Sequence, residues 1–219
     1  MEIRKIYDLS VSLKTGMPTW PTQKEIKIDP VGSVLENGST SEFLSVPSHT
    51  GTHLDAPAHF VHQATTVDEI PLDMLIGTGY CIRPKFSGTE IHAEDFAGAW
   101  ASKYDNSIIL VNTGWDRKRS FSKEFQYDFP GLAEDAIPFF KNHKPKVIGI
   151  DTLGIEPYSH SDFKVHRELL GAGIPFIEDL AGLHQLEEGK PYLIAALPLK
   201  IHKGSGCMAR VVAMEVGGV

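Results

Sequence analysis

Along this chain the apolar positions come in short runs rich in Val, Ile and Tyr, most of them bounded by Gly or Pro. Runs of that length and composition read as strands. The pattern predicts strands over 5–13, 25–31, 79–84, 107–112, 147–151, 192–197 and 209–216, with a shorter apolar run from Ile174 that ends at Glu178. Between them the spacing turns helical. Residues 89–102 carry Ile91, Phe96 and Trp100, with Thr89 placed to cap the start. Residues 132–142 carry Leu132, Ala136, Phe139 and Phe140, and Pro138 is expected to kink or shorten that helix. Residues 163–170 stop at Gly171, a helix-ending residue. The first half is mostly strand and loop, and the second half alternates strand with helix. That mixture predicts an α/β fold with a mixed β-sheet and flanking helices rather than a doubly wound one. No repeat or linker-like stretch interrupts the pattern, so a single domain over 1–219 is expected, long enough to bury a real core.

Composition narrows the function classes. The formal net charge of −7 argues against a nucleic-acid partner, which needs clustered Lys and Arg. No apolar run approaches the roughly 18 residues of a membrane span, and the first residues lack the apolar core of a signal peptide. A cytoplasmic protein acting on a small molecule, with no membrane partner, is expected. The two cysteines, Cys81 and Cys207, form no C-x-x-C pair and are expected as free thiols.

The chemistry concentrates in His49-Thr50-Gly51-Thr52-His53-Leu54-Asp55-Ala56-Pro57-Ala58-His59-Phe60. His49, His53 and Asp55 share parity, so a regular strand would point them to one face. On an extended chain, however, His49 and His53 would stand about 13 Å apart at Cα, too far for one ion bound by nitrogens at about 2.0–2.1 Å. The chain must bend between them, and Gly51 sits where the bend is required. His53 and Asp55 are two apart and can reach one ion from a short extended piece. Pro57 then turns the chain and returns His59 towards the site. A helical H-x-x-x-H arrangement is disfavoured by Gly51, the two threonines and Pro57. Imidazole with carboxylate and no thiolate suits Zn²⁺ or Mn²⁺, and a cysteine-free set fits a catalytic rather than a structural site.

The segment resembles the signature H-x-G-T-H-x-D-x-P-x-H-F of the cyclase family of metal-dependent hydrolases, with every fixed position present. Bacterial kynurenine formamidases (arylformamidases) and isatin hydrolases are branches of that family. The likeness extends to Pro18-Thr19-Trp20-Pro21, Thr113-Gly114-Trp115-Asp116, Pro130-Gly131-Leu132, the pair His166 and Glu178, and Leu197-Pro198-Leu199-Lys200. The resemblance implies a swivelling β/β/α (cyclase-like) fold and a centre of two divalent metal ions, zinc ahead of manganese. It implies that His49, His53 and Asp55 hold the first ion. Asp55 would bridge to the second, which His166 also binds, and Glu178 would contact both. His59 is implied as the acid/base residue, Trp20 as the packing surface for an aromatic substrate, and a homodimer or larger homo-oligomer as the assembly.

The implied reaction is hydrolysis of an aryl formamide such as N-formyl-L-kynurenine, by water that the metal acidifies. Opening of a cyclic amide or lactone is the alternative, and a non-catalytic metal-binding protein on the same fold is the rival of another class. The resemblance is broken at Gly154 and Glu156, where kynurenine formamidases often carry Ser and Asp. This departure is expected to leave the metal chemistry untouched and to bear on the substrate. The carboxylate at Glu178 favours the formamidase-like branch. His62, His92, His143, His160, His184 and His202 read as surface or structural residues, with His160 the nearest rival to His166.

Overall fold

The two most uniformly apolar runs, Ile108–Val111 and Val147–Ile150, are strands buried on both faces, as parallel strands under helices must be. They lie within a computed structural model that describes residues 2–217; Met1, Gly218 and Val219, at the ends of the expected 1–219 unit, lie outside the described residues. In chain order the strands are β1 (Glu2–Asp8), β2 (Lys27–Val31), β3 (Ser41–Ser45), β4 (His53–Asp55), β5 (Ile76–Ile82) and β6 (Glu90–Ile91). They continue with β7 (Ile108–Val111), β8 (Gly131–Leu132), β9 (Val147–Ile150), β10 (Phe176–Glu178), β11 (Pro191–Pro198) and β12 (Gly206–Gly217). The helices are α1 (Val34–Asn37), α2 (Leu72–Leu75), α3 (Ala93–Ala97), α4 (Lys123–Tyr127), α5 (Ala136–His143) and α6 (Lys164–Gly171).

The main sheet runs β1-β12-β11-β5-β7-β9-β10-β4, and β4 also pairs with β12. The seven strands from β12 round to β4 therefore close into a barrel, with β1 added outside the ring. The pairs β5–β7, β7–β9 and β9–β10 are parallel and the others antiparallel, so the sheet is mixed, as the sequence predicts. Closure is what the strand pattern did not contain. It depends on the length of β12, whose first residues, Gly206 to Met208, pair with β4 while Val212 to Gly217 pair with β1.

Side-chain alternation divides the core into two layers. Leu54, Cys81, Ile108, Leu110, Val147 and Ile177 belong to the inner cluster of the barrel. Their neighbours Ile82, Ile109, Val111, Ile148, Ile150 and Phe176 face outwards, under Phe96 of α3, Phe140 of α5 and Leu169 of α6. The inside is filled to contact: a Cβ on Gly149 would lie 2.7 Å from Leu180 Cδ1 and 2.8 Å from Leu110 Cδ2. Cys81 and Cys207 are buried free thiols, and burial pushes the Cys81 thiol up to about 12.

The expected helices are shorter than the apolar spacing suggested. Of 89–102 only α3 is α-helical, because Glu90–Ile91 pairs with Gly131–Leu132 and His92, not Thr89, caps the helix in a box with Asp95. The same pairing removes Leu132 from the second helix, so α5 starts at Ala136. Pro138 then falls in the first turn, where no intrahelical N–H is required, and α5 continues unbroken to His143. Strands β2 and β3 pair only with each other among the described strands, and Phe43 and Leu44 of that hairpin are exposed.

Candidate metal centre

The site is built on β4 and β10, which lie antiparallel with His53 opposite Glu178 and Leu54 opposite Ile177. Because Leu54 and Ile177 enter the barrel, His53, Asp55 and Glu178 project from its outer face, where α6 brings His166. The bend expected before β4 is present: Gly51 adopts φ +62°, a conformation that favours glycine. The turn expected after it is also present, as a 3₁₀ turn over Pro57–His59 with Pro57 in its first position. It carries His59 back until its ring stacks on that of His49, centroids 3.8 Å apart.

Two groups of three donors gather within 4.8 Å of one another: His53, Asp55 and Glu178, and His49, Asp55 and His59. Asp55 belongs to both, the arrangement a bridging carboxylate requires. His53 Nε2 stands 3.3 Å from Asp55 Oδ1 and 3.4 Å from Glu178 Oε2. Donors bound at about 2.0–2.1 Å to a tetrahedral ion stand roughly 3.3–3.4 Å apart, so this spacing suits a small divalent cation. His166 Nε2 lies 3.2 Å from Glu178 Oε1, and His49 Nδ1 lies 2.6 Å from Asp55 Oδ1. All five residues expected to hold metal therefore converge. The grouping differs from the expected one in two respects: His59 joins the set containing His49, and His49 and His53 fall in separate sets. Trp20 lines the cavity above the cluster, and His160 stays outside it, between Glu90 and Glu156.

The electrostatics fit a cation. Asp55 and Glu178 are almost fully buried, and Asp55 Oδ2 has no hydrogen-bond partner. A buried, unpartnered carboxylate oxygen is costly unless positive charge approaches it. Burial opposes charge on both carboxylates, and the Asp55 charge further opposes that on Glu178. The neighbouring imidazoles outweigh these effects: His53 and His49 hold Asp55 well below the usual range, and His166 and His53 lower Glu178. Burial likewise disfavours charge on the imidazoles. Asp55 and Glu178 outweigh it at His53, raised to about 10, and Glu156 and Glu178 do so at His166, raised to about 9. Both imidazoles thus favour their charged form where a metal would supply the charge.

Backbone and side-chain acceptors orient the rings. His53 Nδ1 donates to the Gly51 carbonyl at 2.7 Å, which turns Nε2 towards the carboxylates, the usual device for a metal-binding histidine. His166 Nδ1 donates to Glu156 Oε1 at 2.5 Å, with the same result. His49 Nε2 meets Ser205 Oγ at 2.9 Å. The departure at Glu156 therefore does touch the ligand set, contrary to the expectation from sequence. Ser205 was not legible, because nothing local links it to His49. Above the cluster opens a cavity of about 250 Å³ with walls from Trp20, Phe60 and Phe163. Trp20 lies over Gly154, where a Cβ would come within 3.0 Å of the indole.

The Cyclase family model matches residues 7–157, and the chain belongs to the Cyclase family of hydrolases. It is 30% identical over 216 residues to the kynurenine formamidase of Geobacillus thermodenitrificans, covering 96% of this chain and 97% of that protein. Among solved structures it is similar to a predicted metal-dependent hydrolase from Bacillus stearothermophilus, with TM-score 0.80, 29% identity and coverage of 96% and 98%. It is also similar to isatin hydrolase A from Labrenzia aggregata, with TM-score 0.83, 26% identity and coverage of 96% and 93%.

Proposed function

We propose that this protein is a metal-dependent hydrolase that cleaves the amide of an aryl formamide, N-formyl-L-kynurenine foremost, with two divalent ions, zinc ahead of manganese. The observation that carries this reading is the aromatic-walled cavity of about 250 Å³ that opens directly onto the buried histidine and carboxylate cluster. Trp20, Phe60 and Phe163 offer flat apolar faces to a substrate ring, and the cluster at the cavity's polar end receives the amide attached to it. His49, His53, Asp55, His166 and Glu178 would hold the divalent ions, which when bound would supply Lewis acidity towards a carbonyl oxygen and towards water.

The chain's own residues do the remaining work. Asp55 and Glu178 bring the negative charge that retains the cations. His59 borders the same cavity, with Nε2 4.0 Å from Asp55 Oδ2. Burial, with the neighbouring His49 and His166, lowers it to about 4 against the opposing pull of Asp55, which favours the neutral ring. A neutral imidazole takes a proton before it gives one. Nε2 therefore accepts the proton of the attacking water and returns it to the departing aniline nitrogen, which leaves poorly as an anion. The donor role implied for His59 becomes the second half of its cycle.

A second reading, opening of a cyclic amide such as isatin, is supported by the likeness to isatin hydrolase A. Purified protein assayed with N-formyl-L-kynurenine and with isatin, before and after chelation and with zinc restored, separates the readings. Formamide turnover that is lost on chelation and returns with zinc is expected. Turnover of isatin alone would transfer the assignment, and zinc binding without turnover of either would leave a metal-binding protein. We also propose a homodimer or larger assembly, because an isolated two-stranded hairpin such as β2–β3, with Phe43 and Leu44 exposed, is marginal in water. Light scattering checks it against the chain mass of 24.1 kDa.

A further inference from the structure

Helix α6 starts without a cap of its own. The residue before it, Phe163, has φ 51° and ψ 42° and no side-chain oxygen, so it cannot accept from the first-turn N–H groups. The N–H groups of Val165 and His166 are buried and need acceptors. Glu156, 1% exposed, supplies them from outside the helix. Its Oε1 accepts from the His166 N–H at 3.0 Å and its Oε2 from the Val165 N–H at 3.3 Å. The carboxylate approaches the positive end of the helix, where an anion is favoured.

A cap would need nothing more, yet the same Oε1 also receives His166 Nδ1 at 2.5 Å. With Nδ1 engaged, Nε2 is the nitrogen left to face Glu178, 3.2 Å away. The carboxylate is held in turn. Its Oε2 lies 3.2 Å from His160 Nδ1, and His160 Nε2 reaches Glu90 Oε1 at 2.7 Å. Strand β8 fixes the backbone beneath it: Leu132 N–H donates to the Ile155 carbonyl at 2.7 Å. A Cβ on Gly131 would fall 2.6 Å from Glu156 Cα, so only glycine lets the two segments meet. The backbone of Glu156 is thus pinned by β8, and its side chain by two histidines and a helix start.

We infer that Glu156 is the positioning residue for His166: one buried carboxylate caps α6 and fixes the imidazole so that Nε2 faces the metal centre. The inference rests on the reading of His166 as a metal ligand. It adds a residue to which the proposed reaction assigns no part. It also gives His160 and Glu90 a place, as the outer support of that carboxylate. Shortening the side chain by one methylene leaves its charge but withdraws it from the imidazole, so in this backbone Glu156→Asp tests the reach of the carboxylate and Glu156→Gln its charge.

Three measurements test this. Long-range ¹H–¹⁵N spectra of the unaltered protein, metal-free and zinc-loaded, report which His166 nitrogens carry protons. Nδ1 protonated in both forms is expected, and a bare Nδ1 in either overturns the inference. Zinc affinity measured by chelator competition should fall about 10–100-fold at one of two sites in Glu156→Gln and Glu156→Asp, the range typical of outer-shell partners, with the other site little changed. Circular dichroism of the same variants separates loss of the helix cap from loss of orientation. A lower melting temperature with unchanged zinc affinity and an unchanged His166 spectrum would make Glu156 a helix cap alone and overturn the inference. If Glu156→Gln does not fold, Glu156→Asp and the spectra of the unaltered protein still decide. Failure of the unaltered protein to bind zinc would defeat the metal reading, while the metal-free spectrum would still decide whether Glu156 orients His166.

Discussion

His53 and Glu178 stand directly opposite each other in the β4–β10 ladder, and their side chains meet with Nε2 3.4 Å from Oε2. Glu178 also reaches His166 through its other oxygen at 3.2 Å, so this one carboxylate joins two imidazoles from different elements. Replacing it with Gln removes the charge from both contacts and turns one of the two oxygens into an NH2 group that cannot accept or ligate. Glu178→Gln should weaken zinc binding by more than the roughly 10–100-fold of an outer-shell change, with the chain still folded. Metal analysis and chelator competition read the effect. Unchanged stoichiometry and affinity would reduce Glu178 to a buried strand-end acid.

Metal binding should release protons. His53 and His166, raised to about 10 and about 9, should both carry a proton in the metal-free protein at pH 8. A ligand imidazole must give up its proton at the coordinating nitrogen. The sign follows: below about pH 9 binding expels about two protons per chain, and the release fades as the pH passes about 10. Affinity therefore rises with pH up to that point. Calorimetric titration with zinc at pH 8, in buffers of different ionisation enthalpy, counts the protons. No release at pH 8 would refute the charged state of the metal-free site.

His59→Asn separates catalysis from ligation. As the proton carrier, His59 should cost about 10²–10⁴-fold in kcat when lost, with metal content nearly intact. The loss should be smaller for an activated aryl ester, whose leaving group needs less protonation. The stacking of His59 on His49 and its place among the donors around Asp55 set up the opposite outcome, parallel loss of metal and rate, which would make it a ligand. Metal content and kcat with both substrates decide between them.

Gly206 fixes how near β12 can come to the site. A Cβ there would lie 2.5 Å from His49 Cε1 and 2.5 Å from the Leu54 carbonyl oxygen, in the stretch where β12 closes the barrel on β4. Gly206→Ala should cost about 1–3 kcal/mol, as overpacking of a filled site does. It should also displace His49 and weaken zinc binding. Chemical denaturation with and without zinc measures both, and wild-type stability with wild-type affinity would show that the contact relaxes freely.

Local backbone chemistry sets the geometry of the ligand segment. The bend at Gly51, the extended piece from His53 to Asp55 and the turn at Pro57 all follow from backbone chemistry within a few residues, and each is present. The apolar run into Glu178 marked a strand end for the same reason. Tertiary structure alone decided the rest. Closure of the barrel requires β12 to meet β4, a pairing between distant segments that no local pattern encodes. The pairing of β6 with β8 shortened two expected helices by taking residues whose own spacing was helical. Placing His166 on the cluster and His160 outside it depends on where Glu156 holds the start of α6. The role of Glu156 emerges only when its carboxylate is seen against the uncapped N–H groups of that helix. Local propensity acts over neighbours in the chain, whereas a metal centre is defined by groups that meet only after burial has brought separate strands and a helix together.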